Sequence, residues 1–362
     1  MDLLSKISAL KRRSDFNFDA DLFVGLLASL IGKQHAIVTV NRAVYLDFAE
    51  GMISRIGTNI FGFTVTTVLC TPDMTTDEFA ELILVTPEHV PGNFSVQLSP
   101  SPLMESTTVE FPGRLSKQSS KHNGSGISSY GESRIPNLII LRDLENSSHY
   151  VQAQILEILR TKSLLCSKGV LLTPNQFLVV PLLWTSNKRR RLFPYLLDHF
   201  FLSHNYDPGE YLEQEVPEYW QAPFELPPAS IHRLFSAKEV ELLSSMIGSV
   251  TISADVRRYM HDIMVFLRMH RAIRGGISAR ASKDFELLLK CLCPLHDVRY
   301  ATPSIVKIAA RKVYSHRITV TTPEAERSMA YGSDIEAVTK FLQLWTPDLV
   351  LDDVLDNVLI PL

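Results

Sequence analysis

Disulfide-rich, secreted and membrane-spanning proteins are excluded first, because the sequence lacks what each class requires. Four cysteines among 362 residues are too few for a disulfide framework. Cys291 and Cys293 are also not spaced as a C-x-x-C zinc or redox motif. The first residues show no apolar secretion signal, and no apolar run approaches the length of a membrane span. We therefore expect no membrane contact and a cytoplasmic location, with the nucleus left open.

The sequence also lacks an excess of charge of either sign. Lysine and arginine number 36 against 39 acidic residues, and the net charge is -3. This balance offers no general argument for binding nucleic acid, so we expect no nucleic-acid partner. Hydrophobic residues make up 46% of the chain, which suits a globular protein with two or three cores.

The first part of the chain alternates apolar strands with amphipathic helices. Because the strand patterns are continuously apolar, they indicate a parallel sheet with helices on both faces. The pattern predicts an α/β core over residues 1–208. The predicted strands are 35–40, 64–70, 137–146 and 177–184, and the predicted helices are 1–34, 44–60, 75–84, 150–165 and 192–201.

The rest of the chain divides by composition into four further segments. Residues 86–136 are rich in serine, proline and glycine and predict a disordered insertion in the core. Residues 209–235 read as a linker, and residues 236–320 contain four helical patterns that predict a helical lid. Residues 321–362 predict a C-terminal helical extension, which docks either on a neighbouring protein or, as we favour, on the chain's own core.

Two stretches of the lid carry a family resemblance. These are "MVFLRMHRAIRGGISARAS", residues 264–282, and "DVRYATPSIVKIAARKVYSHRI", residues 297–318, which ends in His316 and Arg317. Together with the α/β plan, they resemble the MoxR and magnesium-chelatase subunit I group of AAA+ ATPases, most closely fungal proteins classed with that group. The resemblance implies an α/β protein with an AAA+ P-loop-type parallel-sheet core followed by an all-helical lid.

The phosphate-binding loop of that family is missing from the sequence. Such a loop requires glycines that let the backbone approach the phosphates, then a lysine and a hydroxyl residue. Residues 41–50, which follow the first strand, contain neither glycine nor lysine, and G-x-x-x-x-G-K-[ST] occurs nowhere in the chain. Gly32 and Lys33 lie before the strand instead of after it.

The family's metal-holding Asp-Glu pair falls on Arg142 and Asp143. A cation at the first of these positions opposes Mg²⁺ binding. In the alternative register, Asp143 and Glu145 form the pair with Leu144 between them. The sensor-1 position falls on Thr185 or Asn187, either of which is able to order a water molecule.

Of two arginine positions in the family, this chain keeps an arginine at one and has a histidine at the other. The arginine finger is replaced by His199, unless the run Arg189–Arg191 supplies the charge in its place. Arg280 matches the sensor-2 arginine, which the resemblance places near the γ-phosphate. The alternative interpretation is that Arg280 pairs across the lid–core cleft with a carboxylate such as Asp143 or Glu145.

These losses favour a catalytically degenerate AAA+ module that acts as a scaffold or assembly partner. The alternatives are an active ATP-hydrolysing motor similar to the chelatase ATPase subunit, and an ATP sensor that does not hydrolyse. We expect no required cofactor, although ATP with Mg²⁺ is the one that the resemblance implies, and we expect a protein partner or an AAA+ oligomer. The histidines show no metal-ligand spacing, so we predict no metal site.

Overall fold

A computed structural model describes residues 18–85, 134–166, 169–185, 192–208 and 235–361. The core contains α1 (Ala20–Ile31), β1 (Ala36–Val40), α2 (Tyr45–Arg55), β2 (Val65–Leu69), α3 (Thr76–Ile83), β3 (Leu138–Arg142), α4 (His149–Thr161), β4 (Ser163–Cys166), β5 (Gly169–Leu172), β6 (Leu178–Trp184), α5 (Pro194–Leu197) and β7 (Leu202–Tyr206). The lid and extension contain α6 (Ala237–Met246), α7 (Ala254–Met269), β8 (Ile273–Gly275), α8 (Ala279–Leu295), α9 (Pro303–Tyr314), β9 (Thr319–Val320), α10 (Ile335–Gln343) and α11 (Pro347–Asn357).

Five of these strands form a parallel sheet in the order β2-β3-β6-β1-β7. The central strands β3 and β6 are almost wholly buried, as their continuous apolar sequences predict. Because all five strands run the same way, their carboxyl ends share one edge of the sheet and their amino ends share the other. These are called the carboxyl edge and the amino edge below.

The two faces of the sheet support separate apolar layers. One face packs against α1 and α2, and its apolar cluster continues into the lid. The other face packs against α3, α4 and the short α5. The predicted parallel α/β core followed by a helical lid is confirmed.

Three strands of the first part of the chain were not predicted. Strand β7 has the polar sequence LSHNY, yet it pairs with β1 along its whole length. Helix α4 ends at Thr161, whereas the helical pattern predicted a helix to residue 165. The residues beyond it form the antiparallel hairpin β4–β5. In both places, pairing with a neighbouring strand decided the structure, which a local pattern does not show.

The lid consists of helices α6 to α9 with one small addition. Each helix begins at a Ser or Thr cap, and Ser236 forms a full capping box with Glu239. The short strands β8 and β9 pair as a ribbon, so the expectation of a lid without any strand was too strict. The extension packs back on the lid, where α11 contacts α7 and α9 through an apolar face.

The predicted insertion lies mostly outside the described residues, but its two ends are visible. Val85 and Arg134 form an antiparallel bridge with hydrogen bonds of 3.0 and 3.1 Å. Ile135, which belongs to the predicted insertion, is already buried in the core. The predicted linker lies, except for its last residue, outside the described residues. No described helix has the length and apolar character that crossing a membrane requires.

Candidate functional site

The turn after β1 stands where nucleotide phosphates bind in P-loop folds. It consists of Asn41–Val44, four residues between the end of β1 and the start of α2. A phosphate-binding loop needs eight residues from its first glycine to its hydroxyl. Val44 is 68% exposed and projects a branched side chain where bare backbone is required. The turn is therefore too short and too bulky to enclose phosphates.

The first amides of α2 are also turned away from solvent. Tyr45 N–H donates to the Arg42 carbonyl at 3.0 Å, and Leu46 N–H donates to the Ala43 carbonyl at 3.1 Å. In a phosphate-binding loop, such amides point at the ligand. Asp47 lies in the first turn of α2 and adds a negative charge that repels phosphate.

Arg142 forms an ion pair with two carboxylates at this carboxyl edge. Its Nη1 lies 2.6 Å from Asp47 Oδ1 and 2.9 Å from Glu50 Oε2. A guanidinium therefore lies between the strand that ends in the family's metal ligands and the helix that follows the phosphate loop. Its fixed positive charge opposes a bound Mg²⁺ at the same place.

The alternative acidic pair is present but is poorly arranged for metal chemistry. Asp143 adopts a left-handed conformation with φ of 53°. Glu145 is buried, and burial raises the pKa of its carboxyl, with the negative charge of Asp143 raising it further. Since a raised pKa favours the neutral acid, Glu145 is a weak ligand for a cation. The described residues contain no group of three His, Cys, Asp or Glu able to hold a metal ion.

The sensor-1 position is occupied by backbone-bonded residues. Thr185 donates its backbone N–H and its hydroxyl to the Val40 carbonyl, at 3.0 and 3.1 Å. The Trp184 indole N–H donates to the Asn41 carbonyl at 3.3 Å. These bonds hold the end of β6 against the β1 turn. Asn187 and Arg189–Arg191 lie outside the described residues.

The amino edge holds a second ion-pair network, at the joint between core and lid. Arg317 is almost wholly enclosed and donates to Asp284 Oδ2 at 2.5 Å and to the Phe200 carbonyl at 2.7 Å. Its Nε lies 3.4 Å from Asp198 Oδ1. Burial raises the pKa of Asp284, and the charge of Arg317 acts in the opposite direction. One lid arginine thus joins two lid elements to the core.

The segment that would carry the arginine finger belongs to this joint. The Ser278 hydroxyl, which caps α8, donates to both carboxylate oxygens of Asp198, at 2.8 and 3.0 Å. The neighbouring His199 contacts the Tyr195 carbonyl at 2.8 Å through Nδ1. Burial lowers the pKa of His199, with a further lowering by Arg280, so the imidazole is neutral at pH 7.

Arg280 lies at the amino edge, away from the predicted partners. Its Nε is 3.9 Å from Asp284 Oδ2, and its charge lowers the pKa values of His35 and Lys162. Asp143 and Glu145 follow the carboxyl end of β3, and a five-residue strand spans about 16 Å. The proposed pairing with either of them is therefore wrong, because the lid packs at the opposite edge of the sheet.

The role of Arg317 at the joint was not predicted from the sequence. Its dipeptide with His316 carried part of the family resemblance, but no role followed from the pattern alone. His316 Nε2 contacts the Phe200 carbonyl at 3.0 Å, so both residues meet the same core segment. A sequence feature that could have identified it is an arginine directly before an isoleucine, just after an amphipathic helix. The structure shows that this isoleucine, Ile318, is buried.

Sequence relatives of the chain are known from yeasts, although no protein-family profile matches it. A Kluyveromyces lactis protein named "Maintenance of telomere capping protein 2" is 24% identical over 168 residues, or 45% of this chain and 52% of that protein. A Saccharomyces cerevisiae protein of the same name is 36% identical over 103 residues, covering 27% of this chain and 29% of that protein. The matches thus span about half or less of these relatives. Their names do not mention magnesium chelatase.

A solved structure resembles the chain over nearly its full length. It is the crystal structure of a candidate ATPase from Cytophaga hutchinsonii, with a TM-score of 0.63 and 15% identity. The similarity covers 94% of this chain and 90% of that chain. Identity this low shows the fold alone. The chain therefore shares the fold of that candidate ATPase: an α/β core with a parallel five-stranded sheet, followed by a helical lid.

Proposed function

We propose that this AAA+ module works as a structural subunit that neither needs nor hydrolyses ATP. The observation that carries the proposal is the ion pair of Arg142 with Asp47 and Glu50. In this ion pair the guanidinium and the two carboxylates neutralise each other's charge, as Mg²⁺ and phosphate do in an active site. The short turn Asn41–Val44 supports the same conclusion, because the amides of Tyr45 and Leu46 that follow it are already bonded to carbonyls of the turn.

Calorimetric titration with ATP and Mg²⁺ tests this proposal. We expect a dissociation constant weaker than about 1 mM and no phosphate release above background. A matched variant, Arg142→Asp, restores an acidic side chain at the metal position but leaves the turn unchanged. We expect it to remain inactive because the turn still lacks a phosphate cradle.

One result would overturn the proposal. Micromolar ATP binding that disappears in Arg280→Ala would instead support an ATP sensor. Micromolar binding with phosphate release would support the motor hypothesis and its chelatase-like chemistry.

We further propose that the module serves telomere capping as part of a protein assembly in the nucleus. The support is the name carried by the relatives from K. lactis and S. cerevisiae. The test is complementation of an S. cerevisiae strain that lacks its relative. A structural subunit should complement equally well as the wild-type chain and as Arg142→Ala, whereas a variant that opens the core–lid joint, Arg317→Met, should fail. Failure of the wild-type chain to complement, with the protein folded and expressed, would count against the telomeric role.

A further inference from the structure

An open cleft on the lid surface is lined by several arginines that form no ion pair with a carboxylate of the described residues. The cleft has a volume of about 280 Å³, and its walls include Arg268, Arg274 and Arg327 with the backbone of Gly275–Ile277. All three arginines are exposed, and none forms an ion pair with a described carboxylate. Such a concentration of unpaired guanidinium groups around one cleft favours an anionic ligand.

Contacts with the backbone hold two of these arginines in place. Arg268 Nε donates to the Ile277 carbonyl at 3.3 Å, and Arg327 Nη2 donates to the Arg268 carbonyl at 2.9 Å. Arg274 has no hydrogen bond to another described residue and projects from β8. The guanidinium groups are thus anchored through carbonyls, which leave their full positive charge available.

The acidic residues close to the cleft already have cationic partners. Glu326 accepts from Arg271 at 2.8 and 3.3 Å and also from Ser328. Asp198 accepts from Ser278 and lies beside Arg317. Neither of these two acidic side chains is therefore available to neutralise the arginines of the cleft.

The positive charge continues along one flank of α7. Arg257 and Arg268 are eleven residues apart, which is about three turns and places them on one face of the helix. Asp255 and Asp262 lie toward the opposite flank, about 120° to 160° away from these two arginines by helical geometry. From Arg257 to Arg268 the helix rises about 16 Å, so the flank and the cleft form a basic strip longer than a single phosphate.

The backbone of Gly275 leaves room for a ligand in this strip. A Cβ atom at Gly275 would meet nothing within 4 Å, so the chain there presents bare backbone to open space. The neighbouring Gly276 has a structural reason of its own, since its φ is 109° and a Cβ would lie 2.0 Å from the Arg317 carbonyl oxygen. Only the first glycine is therefore free to serve a ligand.

We propose that the cleft and the basic flank of α7 bind the phosphodiester backbone of a nucleic acid. A linear series of arginines fits a linear polyanion, and the strip has no exposed aromatic side chain that would stack on a base. The only exposed phenylalanine of α7, Phe266, lies on the acidic flank. Binding should consequently be independent of sequence and dominated by counterion release. The net charge of the whole chain predicts no nucleic-acid partner. A net charge does not show how charge is distributed, so it does not reveal this local basic strip.

The test measures binding of the full chain to fluorescein-labelled DNA by fluorescence anisotropy, with a mixed-sequence duplex and one of its single strands as separate probes. The variant Arg257→Ala/Arg274→Ala removes two exposed arginines that make no described side-chain hydrogen bond, so folding should be preserved. The matched control, Arg299→Ala/Arg160→Ala, removes the same charge from two exposed arginines elsewhere.

We expect the cleft variant to bind about 60-fold more weakly at 0.1 M salt, or about eight-fold per lost phosphate contact. The salt dependence should decrease by about two counterions, while the control binds as the wild type does. No binding of either probe at low salt would overturn the proposal, as would equal losses in the cleft and control variants. Equally tight, cleft-dependent binding of poly-glutamate would overturn it in favour of an acidic protein segment. The inference does not depend on the ATP titration, so either proposal is able to fail alone.

Discussion

The two edges of the same sheet hold the same chemical unit, an arginine with two carboxylates, in opposite environments. At the carboxyl edge, the Arg142 side chain is 25% exposed and its partner Asp47 is 73% exposed. At the amino edge, the Arg317 side chain is 1% exposed and Asp284 is 9% exposed. The first unit links β3 to α2 within the core, whereas the second joins the lid to the core. Because the two units contain the same kinds of residue, we expect burial to set how much each ion pair contributes to the free energy of unfolding.

The largest expected effect is at the buried joint. Arg317→Met leaves the enclosed Asp284 with only the Arg280 guanidinium, whose Nε lies 3.9 Å away, so we expect a loss of about 3 kcal/mol in the free energy of unfolding. Urea denaturation of the purified variant measures it. The double variant Arg317→Met/Asp284→Leu removes both charges and should recover most of the loss. A loss below about 1 kcal/mol in the single variant would mean that the buried ion pair stabilises the fold no more than an exposed pair does.

A smaller effect is expected at the glycine beside that arginine. Gly276→Ala adds a Cβ against the Arg317 carbonyl at a φ of 109°, so we expect a loss of about 2–3 kcal/mol. Gly275→Ala is the matched control, because its Cβ enters open space, and it should change stability little. Thermal denaturation of both variants checks the difference. Equal melting temperatures would mean that the loop moves freely away from Arg317.

The amino edge should also respond to pH through His35. Burial lowers the pKa of His35 well below its usual value, and Lys162 and Arg280 lower it further. The Val179 N–H donates to Nδ1 at 3.1 Å, while Nε2 faces the Lys162 amine at 2.7 Å, so a second ring proton has no acceptor. A depressed folded-state pKa gives stability that is present above about pH 6.5 and is lost as the pH falls.

This reasoning predicts that His35 removes about 1 kcal/mol of stability between about pH 6.5 and pH 5.5, with a slope that approaches about 1.4 kcal/mol per pH unit at the lower end. Denaturation curves across that range measure the slope. His35→Gln should be less stable at neutral pH but should show a shallower pH dependence. A slope that is identical in the two proteins would assign the pH response to other groups.

The smallest effect is expected at the carboxyl edge. Arg142→Ala breaks an ion pair that water screens, so we expect a loss of about 0.5–1 kcal/mol. Urea denaturation at low and high salt measures it, and added salt should reduce the wild-type advantage. A loss comparable to that of Arg317→Met would erase the contrast between the two edges.

Local pattern predicted the buried strands β3 and β6 and most of the capped helices. It did not predict β7, whose polar residues become a strand only because β1 lies beside them. The local pattern also extended α4 past its observed end at Thr161. The residues after Thr161 have a helical pattern but pair with β5. The departures from the family's nucleotide-binding motifs were identified at single positions such as Arg142. The identity of a residue is visible in the sequence, so no tertiary structure is needed to find them.

The sequence by itself determined the α/β plan, the helical lid and the absence of a phosphate loop, because each is written in local composition and spacing. Only the tertiary structure decided what the remaining charges do. It placed Arg280 with Asp284 instead of Asp143 or Glu145, and it enclosed Arg317 at the joint. Pairing between distant residues depends on which edge of the sheet the lid packs against. That choice is made by burial across the whole molecule, which no local stretch of sequence contains.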